Sequence, residues 1–202
     1  MQYQHWIQFY RARVLLLFKK DAEAVEAFKA ALAAKPDFGL AASCLGHHFA
    51  SRHQAHLAEQ WFLEALRIDP TDAIAQFNLG YHYERQKAFA KAVAAFQAAI
   101  DLKPKLDQAW YGMGLALAAQ NQHEAAAKAL EKAAELQPMN PHAWYAMGMA
   151  YHTMGNKAKV DEIVAHLGRF DPKMTQQLMR ETGRINPSSA LLQSHAPTQA
   201  DK

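Results

Sequence analysis

The sequence predicts an all-α solenoid, in which antiparallel helix pairs stack one after another along the chain. Three observations support this prediction: prolines recur every 34 residues, small residues recur with the same period, and apolar residues within each period follow helical spacing. A fixed period over most of a chain is typical of a repeat protein, which presents a long binding surface rather than a closed pocket. The periodic prolines are Pro36, Pro70, Pro104, Pro138 and Pro172.

The period divides most of the chain into five repeats. With the proline at position 32, the repeats are 5–38, 39–72, 73–106, 107–140 and 141–174. Small residues at positions 8 and 20 predict that two helices approach closely, and a large apolar residue at position 24 is expected to fill the seam between them. These residues are Gly46, Gly80, Gly114 and Gly148 at position 8, Ala24, Ala58, Ala92 and Ala126 at position 20, and Phe28, Phe62, Phe96, Leu130 and Val164 at position 24.

Each repeat is predicted to contain two short helices, which we call A and B. In the third repeat the apolar spacing predicts helix A over Ala73–Arg85 and helix B over Phe89–Leu102. Proline cannot continue helix B, so Pro104 is expected to end the repeat and turn the chain into the next helix A.

The two ends of the array depart from the repeat pattern, as terminal repeats do. After Pro172 we expect a capping helix over Thr175–Thr182, with Leu178 and Met179 facing the array and Gly183 ending the helix. The solenoid is therefore predicted to span 1–183. The polar segment 184–202 is predicted to be a flexible tail.

The periodic residues resemble the tetratricopeptide repeat, whose signature is W-x2-L-G-x2-Y, then A-x3-F, then P. The resemblance implies a right-handed superhelix that binds other proteins and has no catalytic role. The third repeat fits best, although Gln76 replaces the tryptophan. Its matching residues are Leu79, Gly80, Tyr83, Ala92, Phe96, Ala99 and Pro104.

The resemblance also implies where a partner binds. In this family, positions 2, 5, 6, 9, 12 and 13 of helix A line a concave groove. In this chain those residues are mostly apolar or aromatic and carry few charges, so we expect a helical or extended segment with apolar anchors. The candidate groove residues are His47, Ile74, Phe77, Asn78, Tyr81, Glu84, Arg85, Tyr111, Leu115, His142, Tyr145 and Met149.

One recognition mode of the family is expected to be absent. Some relatives bind acidic C-terminal tails with a carboxylate clamp, whose cations lie at position 5 of one repeat and positions 2 and 6 two repeats later. None of the three windows in this chain contains a lysine or arginine. The windows are Phe9, Ile74 and Asn78; Ser43, Gln108 and Gly112; and Phe77, His142 and Ala146.

The first helix is a second candidate interface. From Trp6 to Phe18 only Gln8, Arg11 and Arg13 are polar, so this helix needs a cover on more than one face. We expect helix B of the same repeat to cover one face of the first helix. The other face is expected to contact a partner protein, a second copy of the chain, or only the tail. The candidate interface residues are Trp6, Phe9, Tyr10, Arg13 and Leu17.

Composition narrows the function further. The net charge of +3 is too small to indicate nucleic-acid binding, and the single cysteine, Cys44, favours a reducing compartment such as the cytoplasm. No stretch is long enough to span a membrane. Motifs for nucleophilic, nucleotide-dependent or zinc-dependent catalysis are absent, so we expect neither an enzyme nor a cofactor.

The histidines of the second repeat are candidate metal ligands. His47, His48, His53 and His56 lie close together in sequence but lack the spacing of a ligand set, so surface histidines and no metal are expected. The function predicted is an adaptor, scaffold or assembly chaperone. The alternative is an accessory subunit of an enzyme or secretion complex, docked through the first helix.

Overall fold

The computed structural model describes residues 3–184, and within that range the chain contains eleven α-helices and no strand. Ten helices form five pairs, and the eleventh follows them. In chain order the helices are α1 (Gln4–Leu17), α2 (Asp21–Ala34), α3 (Gly39–Ser51), α4 (Ala55–Ile68), α5 (Ala73–Arg85), α6 (Phe89–Leu102), α7 (Asp107–Ala119), α8 (His123–Leu136), α9 (Pro141–Thr153), α10 (Lys157–Leu167) and α11 (Pro172–Glu181).

The pairs stack as the sequence predicts, and α5 and α6 have the predicted bounds. Each helix A contacts its own helix B and the helix B of the preceding repeat. Successive helices A also contact one another, from α3 to α5, α7 and α9, more than successive helices B do in the described range. The helices A therefore line the inner side of the solenoid.

The seam inside a repeat requires the periodic glycines. A Cβ atom on Gly46 would lie 2.6 Å from the ring of Phe62, and one on Gly80 would lie 2.7 Å from the ring of Phe96. Both rings are fully buried. The predicted roles of positions 8 and 24 are confirmed in the second, third and fourth repeats, where a Cβ atom on the glycine would overlap the residue at position 24. In the fifth repeat the prediction is wrong, because Leu178 of the last helix lies against Gly148 and Val164 is only half-buried.

Every repeat turns from helix A to helix B through a left-handed residue at position 15. The backbone φ angles there lie between 57° and 72°. The amide of the next residue donates to a carbonyl five residues back, as Ala88 does to Tyr83, so each helix A ends in a Schellman motif. The five left-handed residues are Lys19, His53, Lys87, Asn121 and Gly155.

The C-terminal cap starts earlier than predicted. Helix α11 begins at Pro172 rather than Thr175, because Asp171 caps it by accepting a hydrogen bond from the Met174 amide and proline is tolerated in the first turn. Leu178 is fully buried and would lie 2.8 Å from a Cβ atom on Gly148, so α11 takes the place of a further helix A.

The fold also extends one residue beyond the predicted boundary at Gly183. Arg184, which was expected to begin the tail, donates hydrogen bonds to Asp161 Oδ1 at 2.7 Å and to the Lys157 carbonyl at 3.0 Å. These contacts bind the chain to α10. The rest of the predicted tail, 185–202, lies outside the described residues.

Candidate peptide-binding groove

The inner surface carries three neighbouring clefts, each formed between two successive helices A. The N-terminal cleft lies between α1 and α3, the polar cleft between α3 and α5, and the apolar cleft between α5 and α7. Tyr81 lines both the polar and the apolar cleft, and His47 lines both the N-terminal and the polar cleft. The three clefts are therefore continuous.

The apolar cleft has a volume of about 250 Å³ and brings together five of the predicted groove residues. The buried ring of Phe96 forms its floor, since Gly112 has no side chain to cover that ring. Asp107 and Glu84 contribute carboxylates. The predicted residues that line it are Phe77, Tyr81, Glu84, Tyr111 and Leu115.

The hydroxyl of Tyr111 remains a hydrogen-bond donor at neutral pH. Burial raises the pKa of Tyr111, and the nearby Glu84 carboxylate raises it further. Phe77 is half-buried and packs 5.8 Å from the Phe96 ring, measured between centroids. The cleft thus offers apolar walls with the phenol groups of Tyr81 and Tyr111 as donors, an arrangement that suits an aliphatic or aromatic anchor.

The polar cleft has a volume of about 380 Å³ and a different chemistry. Arg85 is the one lysine or arginine among its lining residues, and none of them is acidic. Burial lowers the pKa of His47, although a hydrogen bond with Asn78 partly offsets this effect. The polar lining residues are His47, Ser51, His53, Asn78, Tyr81, His82, Arg85 and Gln86.

His82 forms the back of the polar cleft, and the sequence prediction missed it. Its side chain is 4% exposed, and burial lowers its pKa against the opposing effect of Glu59. Glu59 itself accepts hydrogen bonds from the Tyr83 hydroxyl at 2.7 Å and from Lys91 Nζ at 3.4 Å. Burial, together with the hydrogen bond to the Glu59 carboxylate, raises the pKa of Tyr83 to about 12.

The expectation of surface histidines in the second repeat is wrong for His48, whose side chain is 8% exposed beside Asp21. His82, at the same position of the third repeat, is buried as well. Burial lowers the pKa of His48 as well. Position 10 of the repeat could have indicated this burial. It is histidine in the second and third repeats and a small residue, Ala116 and Ala150, in the fourth and fifth. In residues 3–184 no three histidine, cysteine or acidic side chains are arranged to hold a metal ion.

The N-terminal interface and the groove, predicted separately, form one surface. The five candidates on α1 occupy positions 2, 5, 6, 9 and 13, which are inner positions of the groove in the other repeats. Arg13 lines the N-terminal cleft together with Cys44 and His47. Tyr10 and Leu17 are exposed at this end of the inner side.

Phe9 is wrongly assigned to the interface. It is 3% exposed, and its ring packs against Phe28 and Phe38 with centroid separations of 5.7 and 5.3 Å. Trp6 stacks on Tyr10 and meets Phe38 edge-on, so it also braces the first repeat. Phe9 is a core residue, since position 5 of the first repeat points into the seam.

The capping helix closes the C-terminal end of the groove. The Tyr145 hydroxyl donates to a carboxylate oxygen of Glu181 and lies 3.4 Å from Gln177 Nε2. Met149 packs into the cluster of side chains around Leu178. These two groove candidates are thus engaged within the chain, whereas Ile74 and His142 lie exposed and line none of the clefts.

Within residues 3–184, the helices are all too short or too polar to cross a membrane. Two family models match the chain: one described as tetratricopeptide repeat over 22–73 and 45–107, and one described as TPR repeat over 114–155. A comparison with curated proteins gave no match.

Solved structures of similar fold cover most of the chain. MamA is 22% identical over 92% of this chain and 97% of its own, with a TM-score of 0.72. YrrB, described as a TPR protein with an unusual peptide-binding site, is 19% identical over 88% and 91%, with a TM-score of 0.73. PilF of Pseudomonas aeruginosa is 16% identical over 96% of both chains, with a TM-score of 0.73. The chain belongs to the tetratricopeptide repeat family.

Proposed function

We propose that this protein is an adaptor or assembly chaperone that holds an apolar-anchored segment of a client protein in its inner groove. The observation that carries the proposal is the apolar cleft. Phe77, Tyr111 and Leu115 surround a cavity above the buried Phe96 ring, and Tyr81 projects at its edge with 49% of its surface exposed. Aromatic side chains in the centre of a concave face are typical binding hot spots.

The family and the fold support this proposal. Tetratricopeptide repeats mediate protein–protein interaction, and YrrB is a protein of similar fold described as having a peptide-binding site. We propose that the chain works in the cytoplasm, since its one cysteine, Cys44, is free. It acts there by binding, with no catalytic step of its own.

The test is capture of the client by a double variant. Tyr81→Ala with Tyr111→Ala should weaken client binding by at least about 2 kcal/mol, because both side chains lose their contact area with the anchor. The matched control is Leu63→Ala, which removes an exposed apolar side chain from α4, outside the clefts. Native capture followed by mass spectrometry identifies the client, and titration then measures its affinity for each variant.

Equal affinity of the double variant and the wild-type protein for the identified client would refute binding in the apolar cleft. Circular dichroism and a thermal melt show whether each variant keeps its helices. A client lost equally by the Leu63→Ala control would also refute it, because that side chain is remote from the groove.

The open end of α1 supports a second candidate function, docking as an accessory subunit. Ile7 and Val14, at positions 3 and 10, are 58% and 50% exposed. At position 3 of the other four repeats there is an alanine that the preceding repeat buries completely. These alanines are Ala41, Ala75, Ala109 and Ala143. In this proposal a permanent partner, or a second copy of the chain, covers α1.

This candidate predicts a change in assembly without a change in fold. Ile7→Ser with Val14→Ser should release a partner or dissociate an oligomer, because exposed apolar area drives such contacts. Light scattering reports the assembly, and a thermal melt reports the fold. An unchanged mass and an unchanged set of captured proteins would reject docking through α1.

A further inference from the structure

We propose that the polar cleft binds a carboxylate side chain of the client, next to the apolar anchor held in the apolar cleft. This inference rests on the proposed function and names the partner more narrowly. The polar cleft presents one guanidinium and several other nitrogen and hydroxyl donors, and its lining contains no acidic side chain. A carboxylate accepts such hydrogen bonds with both oxygens.

Arg85 is available for this role. In the described part of the chain it makes no ion pair, whereas Arg67 and Arg184 are paired with Glu64 and Asp161. Arg85 is exposed at the mouth of the cleft, whereas Asn78 is buried. A guanidinium over a donor-rich pocket can bind a carboxylate through two parallel hydrogen bonds.

The acid nearest the back of the polar cleft does not compete for these donors. Glu59 on α4 raises the pKa of His82, but its carboxylate already accepts a hydrogen bond from the Tyr83 hydroxyl and pairs with Lys91. It is not among the lining residues. The cleft therefore stays without an internal carboxylate partner for Arg85.

The charge of the groove changes sign across α5. Arg85 lines the polar cleft on one side, whereas Glu84 and Asp107 line the apolar cleft on the other. The client segment is therefore expected to bind with one chain orientation, which places its acidic residue between α3 and α5. Acidic residues beside the apolar anchor are repelled by Glu84 and Asp107.

The distance between the two clefts also sets the spacing between the acidic residue and the apolar residue of the client. Both are lined by Tyr81 and lie on opposite sides of α5, so their centres are separated by about one interhelical distance, roughly 10 Å. An extended peptide advances about 3.3 Å per residue. The preferred segment therefore carries an acidic residue about three positions from a bulky apolar residue.

The test uses a display library of random linear dodecapeptides, selected on the immobilised full chain. We expect enrichment of sequences with Asp or Glu three positions from a bulky apolar residue. A labelled synthetic copy of the leading peptide should bind Arg85→Ala at least about tenfold more weakly than the wild-type protein, since a charged hydrogen-bonded pair is lost. The same peptide with Asn or Gln in place of its acid should lose affinity for the wild-type protein and show no further loss with Arg85→Ala.

The control is Lys103→Ala, which removes an exposed cation after α6 that lines none of the clefts. Enriched peptides without an acid, or full affinity for Arg85→Ala, would overturn the inference. The proposed function still stands in that case if Tyr81→Ala with Tyr111→Ala abolishes binding of the same peptides. Failure to enrich any peptide overturns the inference, and client capture then decides the proposed function separately.

Discussion

Gly112 of α7 lies against the tip of the Phe96 ring on α6, where a Cβ atom would be 2.6 Å from Phe96 Cζ. The adjoining edge of the same ring, from Cε1 to Cγ, faces Gly80 within its own repeat. Phe96 thus fills the seam of the third repeat and also forms the floor of the apolar cleft. Stability and the shape of the candidate site depend on the same side chain.

Gly112→Ala should therefore destabilise the fold and close part of the apolar cleft. The ring of Phe96 is fully buried and also lies close to Gly80, so an added methyl group overpacks the seam and we expect a loss of about 1–3 kcal/mol in urea denaturation. Gly39→Ala is the control, because its nearest neighbour would be 3.5 Å away, an ordinary contact. Equal stability of the two variants would contradict the contact between Gly112 and Phe96.

The left-handed turns offer a stabilising substitution. Lys87 has a φ of 57°, which costs a residue with a side chain about 1 kcal/mol. Lys87→Gly should raise the melting temperature, whereas Asn121→Gly should raise it less, because asparagine tolerates this conformation. Gly155→Ala should lower it. A lower melting temperature for Lys87→Gly would show that the turn does not strain the lysine.

Mild acid should destabilise the protein through its buried histidines. Burial lowers the pKa of His82 below the ordinary value of about 6.5, so the unfolded chain binds more protons between those two values. Stability is then full above pH 7 and falls as the pH drops through 6.5 toward the folded pKa. The pKa values of His48 and of the more exposed His47 are also lowered, so both residues act in the same direction.

His82→Gln should reduce this dependence, measured as the difference in unfolding free energy between pH 7.5 and pH 5.5. The comparison variant is His142→Gln, which changes an exposed histidine. If both variants keep the full wild-type difference, the buried His82 does not account for the loss of stability.

Acidic C-terminal tails of the chaperone type should not bind with micromolar affinity. The clamp position at Ile74 has no cation, and several adjacent acids would meet Glu84 and Asp107 beside the apolar cleft. Calorimetry with a synthetic tail peptide measures this. A micromolar complex that persists in Arg85→Ala would contradict the assignment of the inner positions.

The periodic part of the fold was predictable, whereas contacts outside the period were not. The helical spacing of apolar residues and the periodic proline predicted the bounds of α5 and α6, because both recur from repeat to repeat. Pro172 was ambiguous, because proline both ends a helix and is accepted at the start of the next. The hydrogen bond between Tyr145 and Glu181 joins residues 36 positions apart. Glu181 lies in α11, a helix that has no counterpart in the earlier repeats.

The candidate site was predicted only in part for a related reason. The inner positions identify Tyr81, Tyr111 and Arg85, but the polar cleft also needs His82 at position 10 and His53 in the turn. Neither position is an inner one in the repeat pattern. Their contribution depends on how closely α3 and α5 approach, which no spacing in the sequence specifies.

Photo-crosslinking from single positions in the groove shows directly whether the client lies there. A benzophenone side chain replaces Tyr81 at the junction of the polar and apolar clefts, and in a second protein it replaces Leu63 on α4. With the captured client, irradiation should give a crosslinked product from position 81 and none from position 63. A product from position 63 alone would place the binding surface on the outer helices and contradict the account.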